Sequence, residues 1–270
     1  QARDLIITPQ TRERSYRTTH SVDAEDDRQD CTVFGECITA SYQYLFDHKS
    51  PHGQSDWNDI VETGNGGTLT DTGGVHRLTT GSNSGGTVSF RTVERLNYVA
   101  GSIIRTGIGV RGPPVSDYQG GQFAEWGVMD QDNGFYFRAD SSAISVVIED
   151  SGSKNIIDQQ DWNVDTLDGD NDASNPSGDT LELEDGHIFN VVFGWYGYLG
   201  VNWYVYVPDS NSAARERILV HQKSFKGRTS IRDPNQPVTI RANNNGQANN
   251  SLNYFIGGRQ ASVPSGKLAT

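Results

Sequence analysis

From about residue 60 onward the chain repeats one pattern. Short apolar runs of period two are separated by clusters of Gly, Asn, Asp, Ser and Pro. A half-buried strand requires this pattern, because successive side chains point to opposite faces of a sheet. Thr87-Val88-Ser89-Phe90-Arg91-Thr92-Val93 alternates in this way. Tyr98 to Val110 is a longer β-branched run, stopped by Gly112-Pro113-Pro114. Phe123 to Met129 and Gly134 to Arg138 flank Asp130-Gln131-Asp132-Asn133-Gly134. The Asn-Gly pair there predicts a tight hairpin turn, since both residues tolerate positive φ. Ile144 to Ile148, Ile188 to Trp195, Val201 to Val207, Ile218 to His221, Val238 to Arg241 and Leu252 to Ile256 continue the series. Roughly ten strands joined by polar turns, with no helical periodicity, predict an all-β chain: an antiparallel β-sandwich of jelly-roll or lectin-like type.

The Val201–Val207 strand illustrates the reasoning. Val201, Trp203, Val205 and Val207 share one face and belong to the core, while Asn202, Tyr204 and Tyr206 share the other. Tyr204 and Tyr206 are therefore candidates to cover the outer face, to contact another subunit, or to stack on a sugar.

Residues 1–50 read differently. Glycine is scarce and Asp23 to Asp30 form a charged cluster, followed by an apolar stretch from Ile38 to Phe46 with Tyr42, Tyr44 and Phe46 alternating. The expected organisation is an N-terminal arm or small subdomain over 1–50 and a sandwich domain over 51–270. Cys31 and Cys37 stand six residues apart. They are open to a small-loop disulfide or to two free thiols, and two thiols alone make a poor zinc site, because tetrahedral zinc takes four ligands.

Charge narrows the partners. A net charge of −12 with no visible basic face argues against nucleic acid and against anionic lipid. No apolar run approaches the roughly 20 residues that span a bilayer as a helix. Among the 22 basic residues, 17 are Arg and 5 are Lys. An acidic, Lys-poor surface suits work in high salt, where screening makes self-repulsion cheap, and an ordinary acidic protein of Arg-rich composition is equally open. The aromatic content of 10% is too high for a disordered chain.

Three acidic features invite chemistry. Asp168, Asp170 and Asp172 alternate as in a calcium loop, but Ala173 and Asp179 occupy the places where an EF-hand needs Gly and Glu. A calcium site of another kind and a solvated acidic loop are both open readings. Glu125 beside Trp126, and Glu149-Asp150 at the end of another strand, offer carboxylates of the kind glycosidases pair, though nothing in the spacing makes them face each other. There is no Gly-x-Ser-x-Gly elbow, no His-Glu-x-x-His and no phosphate-binding loop, so the expectation is a protein that is not an enzyme.

A resemblance enters in the middle of the chain. Gly127 to Phe137, Ser145 to Ile148, Gln160-Asp161-Trp162-Asn163-Val164-Asp165-Thr166-Leu167-Asp168-Gly169, Pro176-Ser177-Gly178, Ile188-Phe189 and Phe193 to Gly197 form a series. It resembles a virion-protein module of tailed phages and some large DNA viruses over roughly residues 80–245. The Gln-x-Asp-Trp-Asn-x-Asp-x-Leu-Asp-Gly segment is its most specific part. The acidic insert Asp170 to Asn175 departs from that pattern.

The resemblance implies a structural component of the particle: a capsid decoration, turret, spike or tail protein on the virion surface. It would associate as a homo-oligomer and with other virion proteins such as a major capsid protein, and it carries no catalytic residues over. On its own chemistry the segment reads as a plug pinned by Trp162 and Leu167, with Trp162 also a candidate binding or interface residue. The alternative reading is a carbohydrate- or receptor-binding module at the virion surface that engages a host glycan through exposed Trp and Tyr.

Overall fold

The computed structural model describes residues 42–98, 101–196, 200–208, 215–227, 229–247 and 249–264. The Asp23–Asp30 cluster, Cys31 and Cys37 lie outside the described residues.

The chain builds the antiparallel sandwich that its alternation predicts. One sheet has seven strands. In chain order these are β2 (Asp59–Gly64), β5 (Thr87–Thr92), β7 (Phe123–Met129), β8 (Gly134–Asp140), β9 (Ile144–Asp150), β10 (Ser153–Asp158) and β14 (Val238–Asn243). Their spatial order is β10-β9-β8-β7-β14-β5-β2. The other sheet holds β1 (Tyr42–Lys49), β3 (Thr68–Thr72), β4 (Val75–Thr79), β6 (Ile104–Arg111), β11 (His187–Phe193), β12 (Val201–Pro208), β13 (Arg215–Lys223) and β15 (Asn253–Pro264). Its order is β13-β12-β11-β6-β15-β4-β3, with β1 paired to β15. The segment from Tyr42 onward is thus hydrogen-bonded into the sandwich as a strand.

Alternation fills the space between the sheets. Trp126, Phe137 and Ile240 from one sheet meet Phe189, Trp203 and Tyr254 from the other, all buried. Trp126 packs edge-to-face on Phe189 at 5.1 Å between ring centroids, and Phe137 packs on the same ring at 4.8 Å. Such aromatic pairs add about 0.5–1.5 kcal/mol each beyond their buried area.

Two local expectations are corrected. The run from Tyr98 becomes a strand only at Ile104, because Tyr98 is drawn into loop packing. Its amide donates to Asn235 Oδ1 and its ring abuts Trp195. At the β7–β8 turn, neither Asn133 nor Gly134 has positive φ. The Asp130 carboxylate closes this turn by accepting the Asp132 and Asn133 amides. Gly134 is needed for space, since a Cβ there would stand 2.5 Å from both Met129 Cβ and the Val128 carbonyl.

Candidate functional site

The sandwich gives the seven-stranded sheet an outer face whose register lines up one polar row across all seven strands: Glu62, Ser89, Arg241, Glu125, Arg138, Ser145 and Asp158. Opposite charges directly across strands attract. At the centre of the row, Glu125 receives Arg241 Nε at 2.6 Å, Arg138 at 2.7 Å and Lys154 Nζ at 3.2 Å. The side chain of Glu125 is fully buried under these three cations. Glu149 lies two rows away on the same face, beyond the row of Tyr136, with Lys154 and Arg241 each 3.8 Å from its carboxylate.

The sheet therefore brings together two carboxylates whose sequence spacing does not require it. Tyr136 lies among them and donates its hydroxyl to Glu149 at 2.8 Å. Gly127 makes room, since a Cβ there would come within 2.7 Å of the Tyr136 Cα.

This cluster is suited to holding charge, not to moving protons. Burial would raise the Glu125 pKa, but Arg241, Lys154 and Arg138 outweigh it and hold the carboxyl below its ordinary value. Burial and the neighbouring Glu125 push the Tyr136 hydroxyl well above its ordinary value. Glu125 thus lacks the raised pKa of a general acid, and neither Glu125 nor Glu149 has a surface for a substrate to touch.

The accessible part of this face lies beside the cluster. A trough of about 380 Å³ runs along β5 and β14, lined by Arg91, Arg95, Glu62, Ser89, Thr239 and Arg241 among others. A second hollow of about 200 Å³, with Thr63, Thr87, Phe123 and Asn243 in its walls, shares Arg241 and Glu62 with it. Arg91 reaches Glu62 at 3.0 Å, and Arg95 reaches Asp130 at 2.9 Å. These pairs are part-exposed at the rim, and Arg95 also donates its Nε to the Asn235 carbonyl at 2.8 Å. Trp57, 88% exposed, precedes β2 at the same end of the sheet. The Asn58 carbonyl accepts the Val93 amide there, two residues from Arg95. Neither the trough residues nor Trp57 stand out in the sequence; only the register of β2, β5 and β14 gathers them.

The residues singled out by sequence are placed elsewhere. Trp162 is 4% exposed, its ring edge against Phe137 and its indole N–H donated to the Ile157 carbonyl, so it offers no free face to a ligand. The segment around it closes the open flank between β10 and β13. The Asn163 side chain exchanges two hydrogen bonds with the Gln222 backbone, and the Val164 and Asp165 amides donate to the Val220 carbonyl.

Tyr204 is buried beneath the Arg217 guanidinium, 3.7 Å from the ring centroid. Tyr206 is half-buried on the same outer face, opposite Ile188. Asp168 and Asp172 spend their carboxylates on the loop itself: Asp168 accepts from the Asp170 amide and Asn175, and Asp172 from Ser174. The Asp168–Thr180 bridge closes that acidic loop. Among the described residues, no group of three His, Cys, Asp or Glu is arranged to hold a metal ion.

No family model matches the chain, and no curated protein matches it. Solved structures similar to it include the binding domain of botulinum neurotoxin DC in complex with SialylT, at 11% identity and a TM-score of 0.45, covering 81% of this chain and 47% of that one. The same binding domain in complex with rat synaptotagmin II matches at 13% and 0.46, again over 81% and 47%. A structure of botulinum neurotoxin type C, whose cell entry depends on interaction with two ganglioside molecules, matches at 13% and 0.45, over 81% and 47%. The chain spans about half the length of the structures it matches. At this identity and overlap, what those proteins bind is a property of those proteins.

Proposed function

We propose that this chain is a non-catalytic binding module that presents the trough of its seven-stranded sheet to a glycan or a glycosylated receptor. The observation that carries this reading is the trough lining. Arg91, Arg95, Glu62, Ser89 and Thr239 are in the wall of this space of about 380 Å³, which sets planar guanidinium and carboxylate groups beside a serine hydroxyl. Oriented donors and acceptors of this kind match the paired hydroxyls of a sugar, and the aligned ion pairs reduce the cost of ordering them on binding. The buried Glu125–Glu149 cluster stiffens the floor and takes no part in chemistry. The test is an array carrying lactose, chitotriose, cellotriose and sialyllactose. Wild-type protein is expected to bind at least one of them, with Arg91→Ala and Glu62→Ala weakened. An array blank for wild type overturns the reading.

A second reading, assembly on a virus particle, rests on the residue resemblance and has one structural observation in its favour. Ile188, 37% exposed, stands directly across from half-buried Tyr206 on the outer face of the eight-stranded sheet, the start of an apolar patch. Light scattering tests it. A closed ring that dissociates in Tyr206→Asp supports subunit contact through this face, and a monomer at low and at molar salt removes it.

A further inference from the structure

We infer that Trp57 is the stacking platform of the binding site, receiving the apolar face of a pyranose ring while the Arg91–Arg95 end of the trough takes the hydroxyls of that sugar or the next. The inference rests on the glycan reading above and names the residue that reading lacks.

A tryptophan left 88% exposed forgoes about 1.5–3 kcal/mol of burial. The chain holds it there on a pinned loop. The Gln54 amide donates to Asp71 Oδ2 at 3.1 Å and the Ser55 amide to Asp59 Oδ2 at 2.9 Å. The Asn58 and Asp59 amides both return to the Ser55 carbonyl, at 2.9 and 2.8 Å. The Asn58 carbonyl then takes the Val93 amide at 2.9 Å, which fixes the loop to the chain that leads to Arg95. The backbone is thus pre-ordered, and among the described residues the ring makes no aromatic contact, so binding has only the two side-chain torsions of the ring left to order.

The surroundings choose the occupant. Among the described residues, Gln54, Asp56, Asn58 and Glu94 are exposed around the loop, and Val93 adds an apolar surface beside it. A protein interface requires roughly 800 Å² per partner with an apolar centre, and this neighbourhood has one ring and one valine. Asp56 and Glu94 on a chain of net charge −12 disfavour an anionic membrane. A sugar ring combines one small apolar face with a rim of hydroxyls, which is the complement of what is present.

The other tryptophans make the test clean. Trp126, Trp162 and Trp203 are buried, and half-buried Trp195 donates its indole N–H to the Ile231 carbonyl at 2.7 Å. Iodide quenching of red-edge emission therefore reports on Trp57. Whichever of lactose, chitotriose, cellotriose or sialyllactose binds best is expected to protect that emission. Trp57→Ala is expected to weaken binding about tenfold or more, and Trp57→Phe to restore much of it. Unchanged affinity in Trp57→Ala, with sugar still bound and Arg91→Ala still weakened, overturns the stacking role and leaves the trough reading intact. Trp57 already shielded from iodide in the free protein also overturns it, since another part of the chain or a second copy would then cover the ring. If no sugar binds the wild type, both readings fall together.

Discussion

Two tryptophans in polar loops have opposite fates in this molecule. Trp162 sits among Asp161, Asn163 and Asp165, and Trp57 among Ser55, Asp56 and Asn58. The loop of Trp162 runs along the flank of the sandwich, where edge strands β10 and β13 offer unpaired backbone groups. Its amides and the Asn163 side chain take up those groups, and the ring is drawn inward onto Phe137. The loop of Trp57 bonds mostly to itself and to Asp71, and leaves its ring outside. Local composition does not separate the two. What separates them is whether the loop has an open flank to seal.

The largest expected effect breaks the comparison at its buried end. Trp162→Ala removes a core ring and opens a cavity, costing about 3–5 kcal/mol in urea denaturation. A cost under 1 kcal/mol would mean that the flank is not sealed by that ring. Next comes the centre of the polar row against its rim. Glu125→Ala strands Arg241, Arg138 and Lys154 and is expected to cost about 2–3 kcal/mol, below the full penalty for an unpaired buried charge because all three cations keep some contact with water. Glu62→Ala, at the exposed end of the same row, should cost less than about 1 kcal/mol.

Acid sharpens the same contrast. The folded pKa of Glu125 is depressed, so its stabilisation is present above about pH 4.5 and lost as pH falls through the lower folded value. Glu125→Gln should therefore lose less stability between about pH 5 and pH 2 than wild type.

His221 acts on the sealed flank. It is buried, and burial together with the nearby Lys223 holds its pKa down to about 4. Its neutral ring accepts the Asn163 amide at Nδ1. Between about pH 6.5 and 4 the unfolded chain takes up a proton that the folded chain refuses, so stability falls as pH falls through that range. Protection factors of the Asn163–Asp165 amides, which correct for the slower intrinsic exchange in acid, should fall between about pH 7 and pH 5 in wild type, and unchanged protection would separate His221 from the flank. The smallest effect belongs to Trp57→Ala, within about 0.5 kcal/mol of wild type, as for a surface substitution that touches nothing.

The apolar strands were legible in the sequence, edge strand β13 included, and the short or polar strands β2, β3, β4 and β10 were not. β7, β8 and β9 read directly from their alternation, since each is flanked by two strands and must bury a full apolar face. β2, β3 and β10 carry sequences such as Asp-Ile-Val-Glu-Thr-Gly, Thr-Leu-Thr-Asp-Thr and Ser-Lys-Asn-Ile-Ile-Asp, with most side chains exposed. An edge strand needs only a partner's backbone, and polar residues there guard against unwanted pairing. The site depends on one such strand. Glu62 comes from β2 and Trp57 from the loop before it, so a reading built on apolar runs passes over both.

Local patterning sets the all-β architecture, the inward set of side chains on the apolar strands, and the structural use of the Asp- and Asn-rich loop around Trp162. These follow from period-two patterning and from side chains that bond their own backbone, both of which are local properties. Long-range strand pairing makes Glu125 and Glu149 share a cage of cations, lines one trough with Arg91, Arg95 and Glu62, and leaves Trp57 exposed where β2 begins. These groups are brought together by pairings between strands far apart in the chain. The register of such pairings is fixed by how the whole core packs, and not by any residue's immediate neighbours.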